Sequence, residues 1–336
     1  MSYDTKLMVK VASLYYKENL KQESIARRLK ISKYQVNRIL KKALNFGMVQ
    51  INIIDPTKNI SDLEEKLEKR FRLKRVVAVE NFGLSNTELK SKIGQAAARY
   101  MLDIIKGDDI IGVSWGTTIN EVINHLPSKI NRKVEVVQIT GGSHELSIDL
   151  NCHDITRRFA SKFGVNPHLL YAPSIVDSKK MHDMLLKETS IKKTFEFFSR
   201  LTIAMVGIGA MYPRIMSTLV KAGHIKGVDL ENLKAVGATG DVYSHFFNIY
   251  GKTCGSKLSE RIIAMPVKEL LRVPYSIGIA GGELKAEAIL GAIRGKYINI
   301  LITDSTAAEK IMEISSDPEY QKNHSEILKS KQKQNK

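Results

Sequence analysis

The stretch from Gln22 to Ala43 reads QESIARRLKISKYQVNRILKKA and predicts two short helices joined by a tight turn. Ser32 is suited to begin the second helix, because its hydroxyl can accept unpaired backbone N–H groups of the first turn. The apolar residues of this second helix form one stripe, made of Val36, Ile39, Leu40 and Ala43. The first helix offers a complementary apolar face, made of Ile25, Ala26 and Leu29.

The opposite face of the second helix is polar and basic. Lys33, Asn37 and Lys41 follow at intervals of four residues and therefore lie on one side of the helix. The same helix also carries Tyr34, Gln35, Arg38 and Lys42. Cations and amides of this kind bind phosphates and base edges, so the pattern predicts a helix-turn-helix whose second helix enters the DNA major groove. A purely structural helical bundle is the alternative.

The flanking sequence extends this small domain on both sides. A third helix that closes its core is predicted upstream from Leu7, Val11, Leu14 and Tyr15. Downstream, Gly47 can end the second helix in a left-handed cap, and the alternation of Val49, Ile51 and Ile53 predicts a strand or wing.

Residues 14–53, LYYKENLKQESIARRLKISKYQVNRILKKALNFGMVQINI, resemble the N-terminal DNA-binding domain of the SorC-type bacterial transcriptional regulators, also called DeoR-like sugar-binding regulators. Two positions depart from the family pattern. Lys30 stands where the turn usually has Gly, and Lys21 stands where a Ser or Thr cap is usual. A positive φ at a non-Gly residue costs about 1 kcal/mol, so we expect a slightly destabilised turn.

Length and composition predict a soluble, unexported and therefore cytoplasmic protein. The 336 residues leave room for a small domain of about 55 residues and a large one of about 260, and 43% are hydrophobic. The chain has no apolar run long enough for a membrane span and no signal-peptide pattern at its start. Cys152 and Cys254 lack the spacing of a metal or redox motif, so we expect neither a disulfide nor zinc.

The net charge of +17 is concentrated towards the N-terminus. Residues 1–54 hold eleven lysines and arginines against three acidic residues, a net charge of +8 in about a sixth of the chain. This density favours a polyanionic partner such as DNA. The remainder carries +9, so charge alone does not locate a binding surface.

The rest of the chain alternates short apolar runs with amphipathic segments. Strands are predicted at residues 76–79, 109–113, 134–140, 168–171, 201–206, 233–236, 276–280 and 298–302, with helices around residues 93–105, after Thr117 and around residues 149–163. This alternation predicts a doubly wound, mostly parallel α/β sheet. We divide the chain into a DNA-binding domain at 1–55, a linker helix at 56–74, which is also a candidate dimerisation element, an effector domain at 75–315 and a flexible basic tail at 316–336.

Ligands of such sheets bind beyond the carboxyl ends of the strands, where four polar or Gly-rich stretches fall. They are residues 112–118 (GVSWGTT), 140–143 (TGGS), 237–241 (GATGD) and 280–285 (AGGELK). The first can hold a phosphate at a helix N-terminus, or can be an ordinary capped turn. Asp241 can accept bonds from sugar hydroxyls or cap a helix, and Lys285 can reach a bound anion or be a surface lysine. Residues 207–212 (GIGAMY) lack the third glycine of a dinucleotide site, so no cofactor is expected.

The same stretches, with YAPSIV at 171–176, VGIG at 206–209 and the segment 280–311, resemble successive signatures of the SorC-type sugar-binding domain. The resemblance implies a fold related to ribose-phosphate and glucosamine-phosphate isomerases and a phosphorylated sugar as effector. It also implies effector contacts at Thr117, Thr118, Asp241 and Lys285. Backbone contacts are implied at Gly116, Gly141, Gly142, Gly281 and Gly282.

Two functions therefore compete. The first is a regulator, acting as a homodimer or homotetramer, that binds double-stranded operator DNA through Ser32 and the residues up to Lys42 and responds to a sugar phosphate. For it we expect base contacts from Gln35 and Arg38 and phosphate contacts from Lys33, Lys41 and Lys42. The second is a sugar-phosphate isomerase or deaminase with a DNA-binding appendage, in which Asp241 acts as the base. His144 with Glu145, and His245, lie near two of the strand-end loops. No clear histidine–carboxylate pair in one strand-end loop supports that enzyme.

Overall fold

The structure is a computed structural model that describes residues 5–49, 56–142, 151–221, 223–317 and 320. The chain divides into two compact units, residues 1–55 and 56–336. No helix in the described ranges is both long and apolar enough to cross a bilayer.

The first unit contains the three predicted helices. They are α1 (Thr5–Tyr16), α2 (Gln22–Leu29) and α3 (Lys33–Asn45). Their apolar faces meet in one small core, formed by Met8, Val11, Leu14, Ile25, Ala26, Val36, Ile39 and Leu40. The amphipathic spacing of the sequence thus places the buried stripe of α3 against α1 and α2, and leaves its basic face exposed.

The turn between α2 and α3 has the features expected from its residues. Lys30 ends α2 in the left-handed region with φ of 52°, and Lys21 makes no side-chain cap. Ser32 begins α3 through a capping box, in which its hydroxyl accepts from the Gln35 N–H at 3.1 Å. Gly47 has φ of 71° just after α3. The predicted wing falls mainly on residues 50–55, which lie outside the described residues.

The second unit is built on a mostly parallel sheet of eight strands. These are β1 (Arg75–Val79), β2 (Ile110–Val113), β3 (Glu135–Gln138), β4 (Ile203–Ala210), β5 (Ala238–Val242), β6 (His245–Asn248), β7 (Tyr275–Ile279) and β8 (Ile300–Asp304). Six of them run parallel in the order β1-β8-β7-β4-β2-β3. β5 and β6 form an antiparallel hairpin attached to the end of β4.

The helices of this unit mostly follow strands, as the alternation predicts. They are α4 (Pro56–Phe71), α5 (Asn86–Ile104), α6 (Thr117–His125), α7 (Cys152–Phe163), α8 (Lys179–Leu185), α9 (Thr189–Glu196), α10 (Thr218–Lys221), α11 (Gly227–Ala235), α12 (Ser256–Ser259), α13 (Val267–Leu270), α14 (Ala286–Arg294) and α15 (Ser305–Ser316). The strands β2, β5 and β8 are buried along their whole length, so the core lies around the sheet.

Two strand predictions and one loop prediction were wrong. Residues 233–236 lie in and just after α11, and the GATGD segment, predicted as a loop, supplies most of β5. β4 continues through Ala210, where β5 pairs with it, and glycine allows this close approach: a Cβ on Gly240 would lie 2.8 Å from the Gly209 carbonyl oxygen of β4. Residues 168–171 make only an isolated bridge between Val137 and His168.

The helix predicted as a linker packs against the edge of the sheet instead. β1 is the end strand, and α4 supplies carboxylates to its outward N–H groups. The N–H of Val76 donates to Glu68 Oε1 at 2.8 Å, and the N–H of Ala78 donates to Glu64 Oε1 at 2.7 Å. Leu67 of α4 is fully buried. α4 therefore belongs to the second unit and protects an edge strand that would otherwise expose unpaired backbone groups.

Replacing Glu64 by alanine should lower the melting temperature by about 2–4 °C, since it removes one hydrogen bond worth about 1 kcal/mol. Hydrogen exchange should accelerate at the amide of Ala78. Glu65→Ala is the matched control, because Glu65 pairs with Lys69 on the solvent-exposed side of the same helix. Equal effects of the two substitutions on exchange at Ala78 would contradict this role of Glu64.

The chain beyond α15 is described only at Asp317 and Tyr320. The predicted flexible tail at 316–336 therefore lies almost wholly outside the described residues, and Tyr320 hydrogen bonds to the Glu287 carboxylate of α14.

Candidate functional site

The exposed face of α3 is the first candidate site. Asn37, Arg38 and Lys41 are exposed, and Tyr34 is exposed over 75% of its surface. Residues 33–45 contain four basic residues and no acidic one. A helix with this face projects cations and amides outwards while its other side is held by the core, which is the arrangement that reads DNA through the major groove.

The capping box restricts Gln35. Its Oε1 accepts from the Ser32 N–H at 2.8 Å, so an amide that keeps this bond can offer only its NH₂ group to a base. The two-point recognition of adenine by an amide side chain needs both groups. Ser32 and Gln35 thus begin the helix, and this leaves Arg38 as the stronger candidate for reading a base.

Lys33 already has a partner within the unit. Its Nζ lies 2.7 Å from Glu23 Oε1, and both side chains are more than 60% exposed. An exposed ion pair of this kind contributes little to stability, so a DNA phosphate can replace the carboxylate at small cost. Lys41 is exposed and Lys42 is half-buried on the same helix.

The second candidate site is a cavity of about 200 Å³ in the second unit. It lies where β2, β4 and β7 end, as expected for a parallel sheet. Five of the nine predicted effector residues line it: Gly116, Thr117, Thr118, Asp241 and Lys285. Its lining also includes residues that the sequence did not single out, chiefly Asn86, Lys90, Thr218, Lys221 and Tyr243.

One wall of the cavity is the beginning of α6. Gly116 precedes this helix with φ of 144°, a conformation that favours glycine, and Thr117 and Thr118 form its first turn. The N–H groups of a first turn have no partner within the helix, and the helix dipole favours an anion there. Gly207 of β4 lies close by, since a Cβ on it would be 3.3 Å from the Trp115 carbonyl oxygen.

Lys285 brings the ammonium group of a half-buried side chain to this cavity. Its Nζ donates to the Ile208 carbonyl of β4 at 2.7 Å. Burial lowers the pKa of Lys285 to about 8, the nearby Asp241 acts in the opposite direction, and the charges of Lys90 and Lys221 lower it further. Three lysines from distant parts of the chain therefore share one electrostatic environment, which an anion would stabilise.

Asp241 lies on β5 with its side chain buried. Burial raises the pKa of Asp241 to about 6, while the neighbouring Ser217 hydroxyl and the Lys285 ammonium act in the opposite direction. Its buried Oδ1 has no well-formed hydrogen bond in the described structure. A buried carboxylate oxygen without a partner is costly, so a ligand hydroxyl would be favoured at this position.

The raised pKa of Asp241 predicts a pH dependence of stability. Because the folded protein binds this proton more tightly than the unfolded chain does, Asp241 should destabilise the ligand-free protein increasingly as pH rises from about 4 to about 6. The change is at most about 3 kcal/mol. We expect Asp241→Asn to remove it, so the melting temperatures of variant and wild type should diverge over this range. Melting temperatures of the two proteins that change in parallel with pH would contradict the raised pKa of Asp241.

Tyr243 and Ser244 connect β5 to β6 in a two-residue turn. Both have positive φ, of 33° and 79°, although neither is glycine. Hairpin turns with two positive φ values favour Asn-Gly, and other residues cost about 1 kcal/mol or more each. The Tyr243 side chain is 3% exposed, and burial raises the pKa of its phenol well above the ordinary value, so the phenol remains protonated.

The four remaining predicted glycines do not line the cavity. Gly141 packs against the chain at Pro173 and Gly142 packs against His153 of α7, since a Cβ would lie 2.5 Å from the Pro173 backbone and from the His153 ring respectively. Gly282 donates its N–H to Asp304 Oδ2 at 2.5 Å, and a Cβ on Gly281 would lie 2.4 Å from the same oxygen. These glycines allow close packing, and the second pair positions the loop that leads to Lys285.

The catalytic alternative receives no support from the cavity. No histidine lines it within the part of the chain that the structure describes. His245 is half-buried and is not part of the lining; its Nε2 lies 3.1 Å from the Met265 carbonyl oxygen, and burial lowers its pKa to about 4. His144 and Glu145 lie outside the described residues. Among the described residues no three His, Cys, Asp or Glu side chains are placed to hold a metal ion.

Comparison with known proteins covers both units. Residues 55–313 match the family described as "Putative sugar-binding domain". The sorbitol operon regulator of Klebsiella pneumoniae is 32% identical over 314 residues, which cover 93% of this chain and 99% of that protein. The deoxyribonucleoside regulator of Bacillus subtilis is 31% identical over 306 residues, which cover 91% of this chain and 97% of that protein.

Solved structures agree with this likeness. The crystal structure of the full-length sorbitol operon regulator SorC from Klebsiella pneumoniae has a TM-score of 0.71 to this chain at 32% identity, covering 92% of this chain and 99% of that one. The matching regulators are named for the sorbitol operon and for deoxyribonucleosides. The chain therefore belongs to the SorC family of sugar-binding transcriptional regulators.

Proposed function

We propose that this protein is a cytoplasmic transcriptional regulator of carbohydrate metabolism that binds operator DNA through α3 and changes its DNA affinity when a phosphorylated sugar fills the cavity. The observation that carries the proposal is the cavity itself. It combines the first turn of α6, three lysines and a buried carboxylate. The names of the regulators it resembles support the same conclusion.

The DNA-binding half of the proposal rests on the exposed face of α3. Arg38 is our candidate for a base contact, and Gln35 is a second candidate through its NH₂ group. Lys33, Lys41 and Lys42 bind phosphates. A homodimer or homotetramer presents two such helices about one DNA turn apart and so reads a two-fold operator. A wing formed by residues 49–53 would complete a winged helix-turn-helix.

The effector half rests on charge and size. An anionic group would bind the first turn of α6 together with Lys90, Lys221 and Lys285. A volume of about 200 Å³ is below the range of about 300–1,000 Å³ that drug-sized ligands need, which favours one small metabolite. Asp241 would accept a hydrogen bond from a sugar hydroxyl. Sugar-phosphate isomerases, whose fold we expect the effector domain to share, bind ligands of the same class.

The two halves must be coupled by a difference in affinity. An effector changes DNA binding only if it binds one arrangement of the subunits more tightly than another. A shift of tenfold in operator affinity corresponds to about 1.4 kcal/mol of coupling, which one or two charge-assisted hydrogen bonds to a phosphate can supply.

Fluorescence anisotropy tests the proposal directly. The full-length protein is titrated onto DNA from upstream of its own gene at fixed salt, with and without a panel of sugar and polyol phosphates. We expect binding that resists competitor DNA and that one compound changes at least tenfold. Binding equal to that of random DNA with every compound would overturn the regulator proposal. Turnover of a sugar phosphate by the pure protein would favour the enzyme instead.

A further inference from the structure

Tyr243 has a buried hydroxyl without a partner. The residue lines the cavity with 3% of its surface exposed, and its phenol oxygen makes no hydrogen bond in the described structure. Most buried polar atoms in proteins are hydrogen bonded, because an unpaired one costs stability. A phenylalanine would fill the same space without this cost. The ligand-free fold therefore does not explain why this position carries a hydroxyl group.

The backbone at Tyr243 is a separate indication. Tyr243 and Ser244 both have positive φ in a turn where Asn-Gly would be relaxed. Unfavourable backbone conformations persist where the surrounding structure imposes them, and they cluster at ligand sites. The strained turn places an aromatic residue at the cavity, which a relaxed Asn-Gly turn would not do.

Tyr243 follows Asp241 by two residues and lies in the turn directly after β5. Both residues line the cavity, and both carry a buried oxygen without a partner. The carboxylate of Asp241 accepts hydrogen bonds, whereas a phenol donates one and also accepts. Together they match a hydroxyl-bearing carbon chain, and they do not match a second phosphate, which Asp241 would repel.

We propose that Tyr243 selects the effector by hydrogen bonding to a hydroxyl group of its sugar part, next to the hydroxyl held by Asp241. This inference rests on the proposed function and narrows it: the effector is a monophosphorylated polyhydroxy compound. Sites built to bond a hydroxyl discriminate strongly against analogues that lack it, because the buried groups are then left unpaired. Deoxy analogues should therefore bind more weakly, although their phosphate is intact.

The test compares full-length wild type with Tyr243→Phe and Tyr297→Phe by isothermal titration calorimetry. The probes are ribose 5-phosphate, 2-deoxyribose 5-phosphate, glucose 6-phosphate, 2-deoxyglucose 6-phosphate, sorbitol 6-phosphate and inorganic phosphate. For the probe that wild type binds most tightly, we expect Tyr243→Phe to weaken binding about tenfold or more. Affinity for inorganic phosphate should stay the same, and discrimination against the deoxy analogue should shrink.

Thermal unfolding without ligand shows whether Tyr243 acts in effector selection or only stabilises the fold. Tyr243→Phe removes an unpaired buried hydroxyl, so its melting temperature should equal or exceed that of wild type. Tyr297 is the matched control, because its hydroxyl donates to the Gly251 carbonyl at 3.1 Å and it does not line the cavity. Tyr297→Phe should therefore lower the melting temperature and leave the affinities unchanged.

The outcomes are distinguishable. If wild type binds a sugar phosphate and Tyr243→Phe binds it equally well, the role of Tyr243 is overturned while the proposed function stands. A fall in melting temperature for Tyr243→Phe, with weaker binding of inorganic phosphate as well, would also overturn it in favour of a structural role. Failure of wild type to bind any probe would overturn both proposals.

Discussion

Replacing Arg38 by alanine should lower the affinity of the protein for its operator by at least about 30-fold. A bidentate contact between arginine and a guanine edge is worth about 1–3 kcal/mol, and a dimer loses one contact in each half-site. Arg38 lies on the exposed face of α3, one turn after Tyr34. The capping bond of Gln35 leaves Arg38 as the longest cationic side chain in a position to read bases. Anisotropy with operator and random DNA measures the change.

Two further variants distinguish a sequence-specific base contact from nonspecific electrostatic attraction to DNA. Lys41→Ala should weaken binding to operator and random DNA alike and lower the salt dependence of binding, as expected for a phosphate contact. Lys10→Ala changes an exposed lysine of α1 and should have little effect. If Arg38→Ala weakens binding to random DNA as much as to the operator, Arg38 binds phosphate and the proposed base contact is wrong.

The sequence predicted the three helices of the first unit, because their structure follows from local rules. The apolar stripes of α2 and α3 have helical spacing, and Ser32 has the hydroxyl that begins a helix. The parallel strands were also predictable, since alternating short apolar runs and helical segments can bury their apolar faces in few arrangements other than a parallel α/β sheet. Lys285 and the α6 turn were located by their position after such strands.

The rest depended on contacts between distant residues. Lys90 of α5 and Lys285 are almost two hundred positions apart, and nothing local distinguishes Lys90 from a surface lysine. The segment 237–241 contains two glycines and reads as a loop, yet pairing with β4 makes it a buried strand. α4 is charged and reads as a linker until Glu64 and Glu68 meet the edge of β1. These features can be recognised only in the folded protein, because they depend on contacts that form around the sheet.

Replacing Lys285 by methionine should weaken effector binding by about 10- to 100-fold and abolish the effector's influence on DNA binding. The substitution keeps an unbranched side chain, shorter by one atom, and removes its charge, and a hydrogen bond to a charged group is worth about 1.5–3 kcal/mol. Without effector, operator affinity should be unchanged, and the melting temperature should not fall by more than the small cost of losing the bond to Ile208. Lys268→Met, at an exposed lysine of α13, is the control.

The pH dependence of effector binding tests whether the charge of Lys285 is what raises the affinity for the effector. The pKa of Lys285 is about 8, so an increasing fraction of the ligand-free protein loses this charge as pH rises from 7.5 to 9.5. The second ionisation of a phosphate, near pH 6, is almost complete at the start of this range. Wild-type affinity should therefore fall across it, whereas Lys285→Met should bind weakly at every pH. A variant that keeps the wild-type pH profile would show that another group titrates, and Lys285 would then not be the residue that binds the anion.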